Sequence, residues 1–276
     1  MATQGQGDST PWKVDGFATV FHVSLDIGNA EKLRKWAFWH LDLNAGCGWN
    51  DKAGCEGSPI SFLRVASQFK RPIRAYFCDK RQEACDALAG RIPPLSLPGT
   101  IFTNVVCCDN AALLGEIAKQ IRRCENPEYA IGQVLCDPNG FNDMPLDALA
   151  AFAAEFPRID VIIHLNISLF ARMRGCKKSE QYAKGFGSKP EPEDVLRRLG
   201  RKWWSIRRIP SRKGMKGERF TTAVGTSFKN RSRRIMDFVD LESDEGQSIV
   251  KQLKSEDPKG QMEFAFVKEI GRRWSL

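Results

Sequence analysis

The stretch Phe38-Trp-His-Leu-Asp42-Leu-Asn-Ala-Gly46-Cys-Gly48 is a short continuous apolar run that ends in an acid and a glycine turn. Phe38 to Leu43 is too short for a globular helix, and a strand apolar on both faces belongs in the middle of a covered sheet. Outward from it the same unit recurs, and Ile73 to Cys78, Ile101 to Cys107, Ala130 to Cys136 and Asp160 to Leu165 also read as strands. Between them lie helical patterns at Pro59 to Phe69, Gln82 to Ala89, Ala111 to Arg123 and Pro145 to Phe156, the last with Asp143 as its N-cap and Pro145 in its first turn. Strands alternating with helices predict an α/β domain built on a doubly wound, Rossmann-like, mostly parallel sheet covered on both faces.

After Asn166 the pattern changes. A polar, glycine-containing segment runs from Lys177 to Pro192, a short helix is expected from Glu193 to Leu199, and Lys202 to Ile209 with Arg219 to Ser227 read as an antiparallel hairpin closing one sheet edge. The tail holds an acidic helix around Ser243 to Lys254 and an apolar run, Met262 to Val267, with strand character. At the other end, residues 1–12 read as a flexible tail, and Asn29 to Trp36 is amphipathic. The expected organisation is a main domain over residues 13–236 and a C-terminal extension over 237–276 that packs on the core.

The chain has 276 residues and a formal net charge of +9, but the charge is segregated. Residues 172–235 carry 20 Lys and Arg against 5 Asp and Glu, leaving the remainder of the chain at −6. One dense basic stripe suits a phosphate backbone better than a uniformly basic surface does, so DNA or RNA is the expected partner, with a protein partner also open. Within it Arg207, Arg208, Arg212, Lys213 and Lys216 are the expected nucleic-acid contacts, and Trp203-Trp204 places at least one indole in the core because neighbouring strand residues face opposite ways. No apolar run reaches the roughly 18 to 20 residues of a membrane span. Met1 to Ser9 lacks the apolar segment of a secretion signal, so the cytoplasm is the expected compartment. Nine cysteines without a C-x-x-C pair, and only three histidines, predict reduced structural thiols and no metal site.

In an open α/β sheet the ligand sits beyond the carboxyl ends of the strands. Four acids stand there: Asp42, Asp79, Asp109 and Asp137. The turn from Asp42 through Asn44, Gly46 and Gly48 offers backbone without Cβ atoms to a nucleotide-like ligand. Asp79 can accept both hydroxyls of a ribose, and Asp109 can meet an adenine amino group. Trp49 follows Gly48 where a dinucleotide fingerprint needs a helix opening on a third glycine, which counts against NAD. Three acids ending three successive strands beside a glycine turn resemble the S-adenosylmethionine site of class I methyltransferases. In those enzymes that methylate nucleobase amines, the loop after the fourth strand carries D/N/S-P-P-aromatic. Here Asp137 and Pro138 match, Asn139 replaces the second proline, and Phe141 comes one place late. A cysteine nucleophile of the pyrimidine C5 type does not fit, since Cys136 precedes the acid inside the strand.

A narrower resemblance covers about residues 20 to 230. His40 to Gly48, Glu56-Gly-Ser-Pro-Ile60, Leu135-Cys-Asp-Pro-Asn-Gly140, Val161 to Ile167, Trp203 to Arg208 and Phe220 to Thr226 are similar, in that order, to the three-Cys-motif partner family of bacteria and phages. Asn44, Cys47 and Asn139 stand where that family usually has Phe, Pro and Tyr. The resemblance implies a class I methyltransferase fold and S-adenosylmethionine as cofactor. The expected activity is methyl transfer to a nucleic acid, at an exocyclic base amine held by Asp137 and Pro138 with Phe141 stacking. The alternative is a non-catalytic, methyltransferase-like nucleic-acid-binding module in a larger assembly. Either way Arg207, Arg208, Arg212 and Lys213 are expected on the same side of the sheet as Asp137.

Overall fold

A computed structural model of the chain describes residues 10–28, 36–138, 140, 143–167, 170, 191–209, 220–227 and 237–254. The five expected strands form as β1 (Phe38–Asp42), β4 (Ile73–Asp79), β5 (Ile101–Cys107), β6 (Ile131–Cys136) and β7 (Ile159–Asn166). A two-residue pair, β2 (Trp49–Asn50) and β3 (Cys55–Glu56), makes a small flap after the glycine turn. The helices between the large strands are α2 (Ser58–Ala66), α3 (Gln82–Arg91), α4 (Asn110–Cys124) and α5 (Leu146–Glu155). Then come α6 (Pro192–Arg198), β8 (Trp203–Ile209), β9 (Phe220–Thr226), β10 (Val239–Asp240) and α7 (Asp244–Lys254).

Eight strands form one sheet in the order β10-β8-β9-β7-β6-β1-β4-β5. β1 lies parallel to both β4 and β6, and β9 runs antiparallel between β7 and β8. The chain winds outward from β1 through β4 to β5, then returns to β6 on the other side of β1. That reversal makes the carboxyl ends of β1 and β6 the switch point of the sheet, where the loops diverge and leave a crevice.

Two apolar layers clamp the sheet. On one face Leu41, Val134, Ile163 and Trp204 pack with α4, α5 and α6 through Leu113, Ile117, Phe152 and Leu196. On the other, Phe38, Phe77, Leu135 and Ile162 pack with α2 through Phe62 and Leu63, and with an N-terminal helix, α1 (Thr10–Gly28), through Phe17, Val20 and Phe21. Each of these side chains is at least nine-tenths buried.

Residues 13–28, to which no element is assigned from sequence, are helical, and so is the backbone of 10–12, which differs from the flexible tail expected there. Asp143 is not the N-cap of α5: Pro145 holds that place, and the Asp143 carboxylate instead takes a hydrogen bond from Lys80 Nζ at 2.6 Å. The hairpin forms as expected, with β10 added outside it as a two-residue strand. In the C-terminal part, Phe238, Leu241 and Val250 are buried in the core. The segments 1–9, 29–35, 171–190, 210–219 and 255–276 lie outside the described residues, and with them the amphipathic reading of 29–35 and the strand reading of Met262 to Val267.

Candidate functional site

The crevice is built from the loops after β1, β4 and β6. Asp42 ends β1 without exposed surface and accepts Ser58 Oγ at 2.7 Å and the Asn44 backbone N–H at 3.1 Å. Burial pushes its carboxyl up to about 7, against the lowering effect of those two donors. The Asp42 side chain thus braces the glycine turn and the start of α2. Asn44 links this turn to the next loop, since its Oδ1 accepts the Asp137 backbone N–H at 3.1 Å.

The turn itself needs glycine at two places. Gly46 has φ +60° and Gly48 φ +74°, both in the left-handed region that side chains disfavour. A Cβ on Gly46 would meet nothing within 4 Å, whereas one on Gly48 would strike Leu88 Cδ1 at 2.6 Å. Gly46 thus fronts open space, and Gly48 is tight against α3. The flap bends back here, with the Gly57 N–H donating to Gly48 O at 2.8 Å.

Asp79, at the end of β4, turns its carboxylate toward the same turn and accepts the Gly46 N–H at 3.1 Å. The Arg81 guanidinium donates to it twice, at 3.0 Å and 3.1 Å, and the Arg81 backbone N–H once, at 2.9 Å. Burial favours the protonated acid, but the Arg81 guanidinium and the backbone donors outweigh it and hold the carboxyl below its usual range. Asp109, after β5, is exposed, and its Oδ1 caps α4 by accepting the Ala111 and Ala112 N–H groups.

Beyond β6 stands Asp137, whose Oδ2 accepts Lys13 Nζ at 2.6 Å from α1. Burial raises the Asp137 carboxyl, but the Lys13 charge, with His164, more than cancels this and holds it low. His164 on β7 is buried, and its Nδ1 lies 3.3 Å from Thr222 Oγ1. Burial drives its imidazole down to about 4, so at neutral pH it is uncharged. Pro138 is half-buried next to Asp137, and Phe141 lies outside the described residues. Cys136 is fully buried in β6 and burial pushes its thiol up, so it is no nucleophile for this crevice.

The basic hairpin reaches the same edge of the sheet. Cys136 is level with Ile163, and His164, one residue on, is level with Thr222 and Arg207. The backbone of Arg207 and Arg208 therefore stands at the carboxyl edge beside the Asp137 loop. Three inter-strand spacings separate β8 from β6, about 14 Å. Arg212, Lys213 and Lys216 lie outside the described residues.

Three contributors were not legible beforehand. Lys13 comes from a helix that was not expected. Ser58 opens α2 and turns its hydroxyl onto the acid that ends β1, a contact made between residues 16 apart in sequence. Arg81 follows Asp79 by two residues, close enough to fold back on it. Among the described residues no cluster of three metal-ligating side chains occurs, the eight cysteines are free, and no helix is long and apolar enough to cross a membrane.

No family model and no curated protein sequence matches this chain. Solved structures do match over most of its length. Protein LPL1258 from Legionella pneumophila aligns with a TM-score of 0.52 at 13% identity, over 90% of this chain and 92% of that one. The human methyltransferase 10 domain containing protein aligns with a TM-score of 0.41 at 12% identity, over 77% and 82%. An rRNA methylase from Streptococcus thermophilus aligns with a TM-score of 0.37 at 10% identity, over 78% and 93%. Strand order, the antiparallel strand β9 inserted between β7 and β8, and helices on both faces together give this chain a Rossmann-like, mostly parallel α/β fold.

Proposed function

We propose that this protein is an S-adenosylmethionine-dependent methyltransferase that acts on a nucleic acid at an exocyclic base amine, and that it is a divergent relative of the three-Cys-motif partner family. The observation that carries the reading is the convergence of Gly46, Asp79 and Asp137 on one crevice at the switch point, with the Gly46 amide and the Asp79 carboxylate already joined at 3.1 Å. The space in front of Gly46 suits the cofactor, because nothing there would meet even a Cβ within 4 Å. Gly46 and Gly48 would let its backbone-facing edge approach, Asp79 would accept the ribose hydroxyls, and Asp109 would take the adenine amino group with the carboxylate oxygen not engaged in the helix cap. Asp42 and Asn44 hold the loops that present these groups. When bound, S-adenosylmethionine supplies an electrophilic methyl group.

On the acceptor side, Asp137 accepts a hydrogen bond from the amine, the Pro138 carbonyl accepts a second, and Phe141 stacks on the base. Placement of the amine is the main contribution expected of the protein, because correct alignment of two reactants removes much of the barrier. Arg207, Arg208, Arg212, Lys213 and Lys216 hold the phosphate backbone alongside.

A second reading, a non-catalytic nucleic-acid-binding module, is favoured by one observation: Lys13 already occupies Asp137 Oδ2. Incubation with methyl-tritiated S-adenosylmethionine and pooled DNA, transfer RNA or ribosomal RNA tests the choice. Label in one nucleic acid, lost with Asp137→Ala, supports the enzyme. Salt-sensitive nucleic-acid binding without label supports the module.

A further inference from the structure

The ion pair at the acceptor loop has a second implication. Lys13, Phe17 and Phe21 succeed one another at four-residue steps, so they lie along one face of α1. Phe17 and Phe21 have no exposed surface; Phe17 meets His164 edge-on at 6.1 Å, and Phe21 meets His40 and Phe62 at 5.4 Å. The helix is therefore fixed, and it delivers the Lys13 ammonium to Asp137 across a sequence separation of 124 residues. Both side chains keep some exposure, 17% for Lys13 and 15% for Asp137, so the pair, just past the carboxyl end of β6, is not sealed in the core.

What stands in the acceptor position is thus a hydrogen-bond acceptor and a hydrogen-bond donor side by side. A carboxylate has lone pairs beyond the one Lys13 uses, and an ammonium has three donors. We infer that Lys13 is the specificity-determining residue of the acceptor site, pairing with Asp137 to select an amine flanked by an unprotonated ring nitrogen. This inference rests on the methyltransferase reading above. On the pairing edge of a nucleobase that arrangement belongs to adenine, with N6 beside N1, and to cytosine, with N4 beside N3. Guanine presents an N–H beside its amine on that edge, and uracil has no amine. Asp137 accepts from the exocyclic amine while Lys13 donates to the ring nitrogen, and an N–H facing the ammonium is rejected because two donors then oppose each other.

The test is a cycle between protein and base. Wild type and Lys13→Met are assayed for methyl transfer to short single strands carrying adenine or 1-deazaadenine, and cytosine or 3-deazacytosine, where the ring nitrogen becomes C–H. Wild type should lose about tenfold to a hundredfold in kcat/KM on the deaza partner of its substrate, the worth of one hydrogen bond from a charged donor. Lys13→Met should start from that reduced level and show no further loss, and Lys13→Arg should recover part of the discrimination. Unchanged S-adenosylmethionine affinity in Lys13→Met excludes misfolding as the cause. Equal wild-type rates on a base and its deaza partner overturn the inference and leave the methyltransferase standing. So does an equal loss on both substrates in Lys13→Met, which marks a purely structural ion pair. Absence of transfer to every nucleic acid tested overturns both.

Discussion

Replacing Gly46 and Gly48 separately by alanine distinguishes a ligand-facing glycine from a packing glycine within one turn. Both residues are left-handed, with φ +60° and +74°, so alanine at either costs about 1–2 kcal/mol of backbone strain. For Gly46 the cost ends there, because its added Cβ meets nothing within 4 Å. At about 2–4 °C per kcal/mol for a chain of this size, Gly46→Ala should lower the melting temperature by about 2–8 °C. At Gly48 the new methyl would lie 2.6 Å from Leu88 Cδ1 and 3.2 Å from Ile60 Cγ1, so overpacking adds about 1–3 kcal/mol. Gly48→Ala should therefore be the less stable variant. Ligand affinity should run the other way: the Gly46 methyl projects into the proposed cofactor space and should weaken S-adenosylhomocysteine by at least about tenfold, or about 1.4 kcal/mol. Differential scanning calorimetry and isothermal titration on the two purified variants supply both numbers. Wild-type affinity in Gly46→Ala would refute the assignment of that space to the cofactor.

Other perturbations probe the supporting structure. With the Asp42 carboxyl near 7 in the folded state against about 3.9 unfolded, the native protein keeps a proton that the unfolded chain releases, so this stabilisation is full below about pH 4 and is lost as pH rises through 7, about 4 kcal/mol in all. His164, lowered to about 4 from 6.5, acts in the opposite sense, stabilising above 6.5 and losing that contribution as pH falls to 4. Asp160 and His164 titrate alike in wild type and in Asp42→Asn, so the difference between the two isolates Asp42: relative to the variant, wild type should lose about 3 kcal/mol in urea unfolding between pH 4 and 6.5. Arg201 is buried and donates to Phe156 O, Ile159 O and Ser227 Oγ, and its charge faces Asp160, whose carboxyl burial raises to about 6. Arg201→Ala should cost about 3–5 kcal/mol in urea unfolding at pH 7.5, since it strands both the acid and the carbonyls. The double variant Arg207→Ala, Arg208→Ala should reduce the salt dependence of nucleic-acid binding by about 1.4–1.8 log units per log unit of salt, measured by fluorescence anisotropy. An unchanged slope would remove those two residues from the interface.

The parallel sheet was legible because a strand buried on both faces must be a continuous apolar run, and such runs ended within a residue or so of their observed limits at Ile73–Asp79 and Ile101–Cys107. The glycine turn and its flanking acids were legible for the same reason: a strand end plus a switch point fixes where they stand. Helix α1 was not. Its sequence mixes Val, Thr and aromatic residues with Gly16, a composition of weak helix propensity, and it is helical because Phe17, Val20 and Phe21 bury themselves on the sheet. The partners of the carboxylates were likewise hidden, because ion pairs are made by three-dimensional neighbours. Asp143 was read as a cap and instead meets Lys80, while Asp137 meets Lys13 from 124 residues away.

Titration of S-adenosylmethionine into the purified protein tests the central claim most directly. The account predicts a single site that is weakened severely by Asp79→Ala, since Gly46 and the ribose position both depend on that carboxylate, and is retained in Asp137→Ala, which serves the acceptor. Failure of the wild-type protein to bind, or binding that Asp79→Ala leaves unchanged, would contradict it.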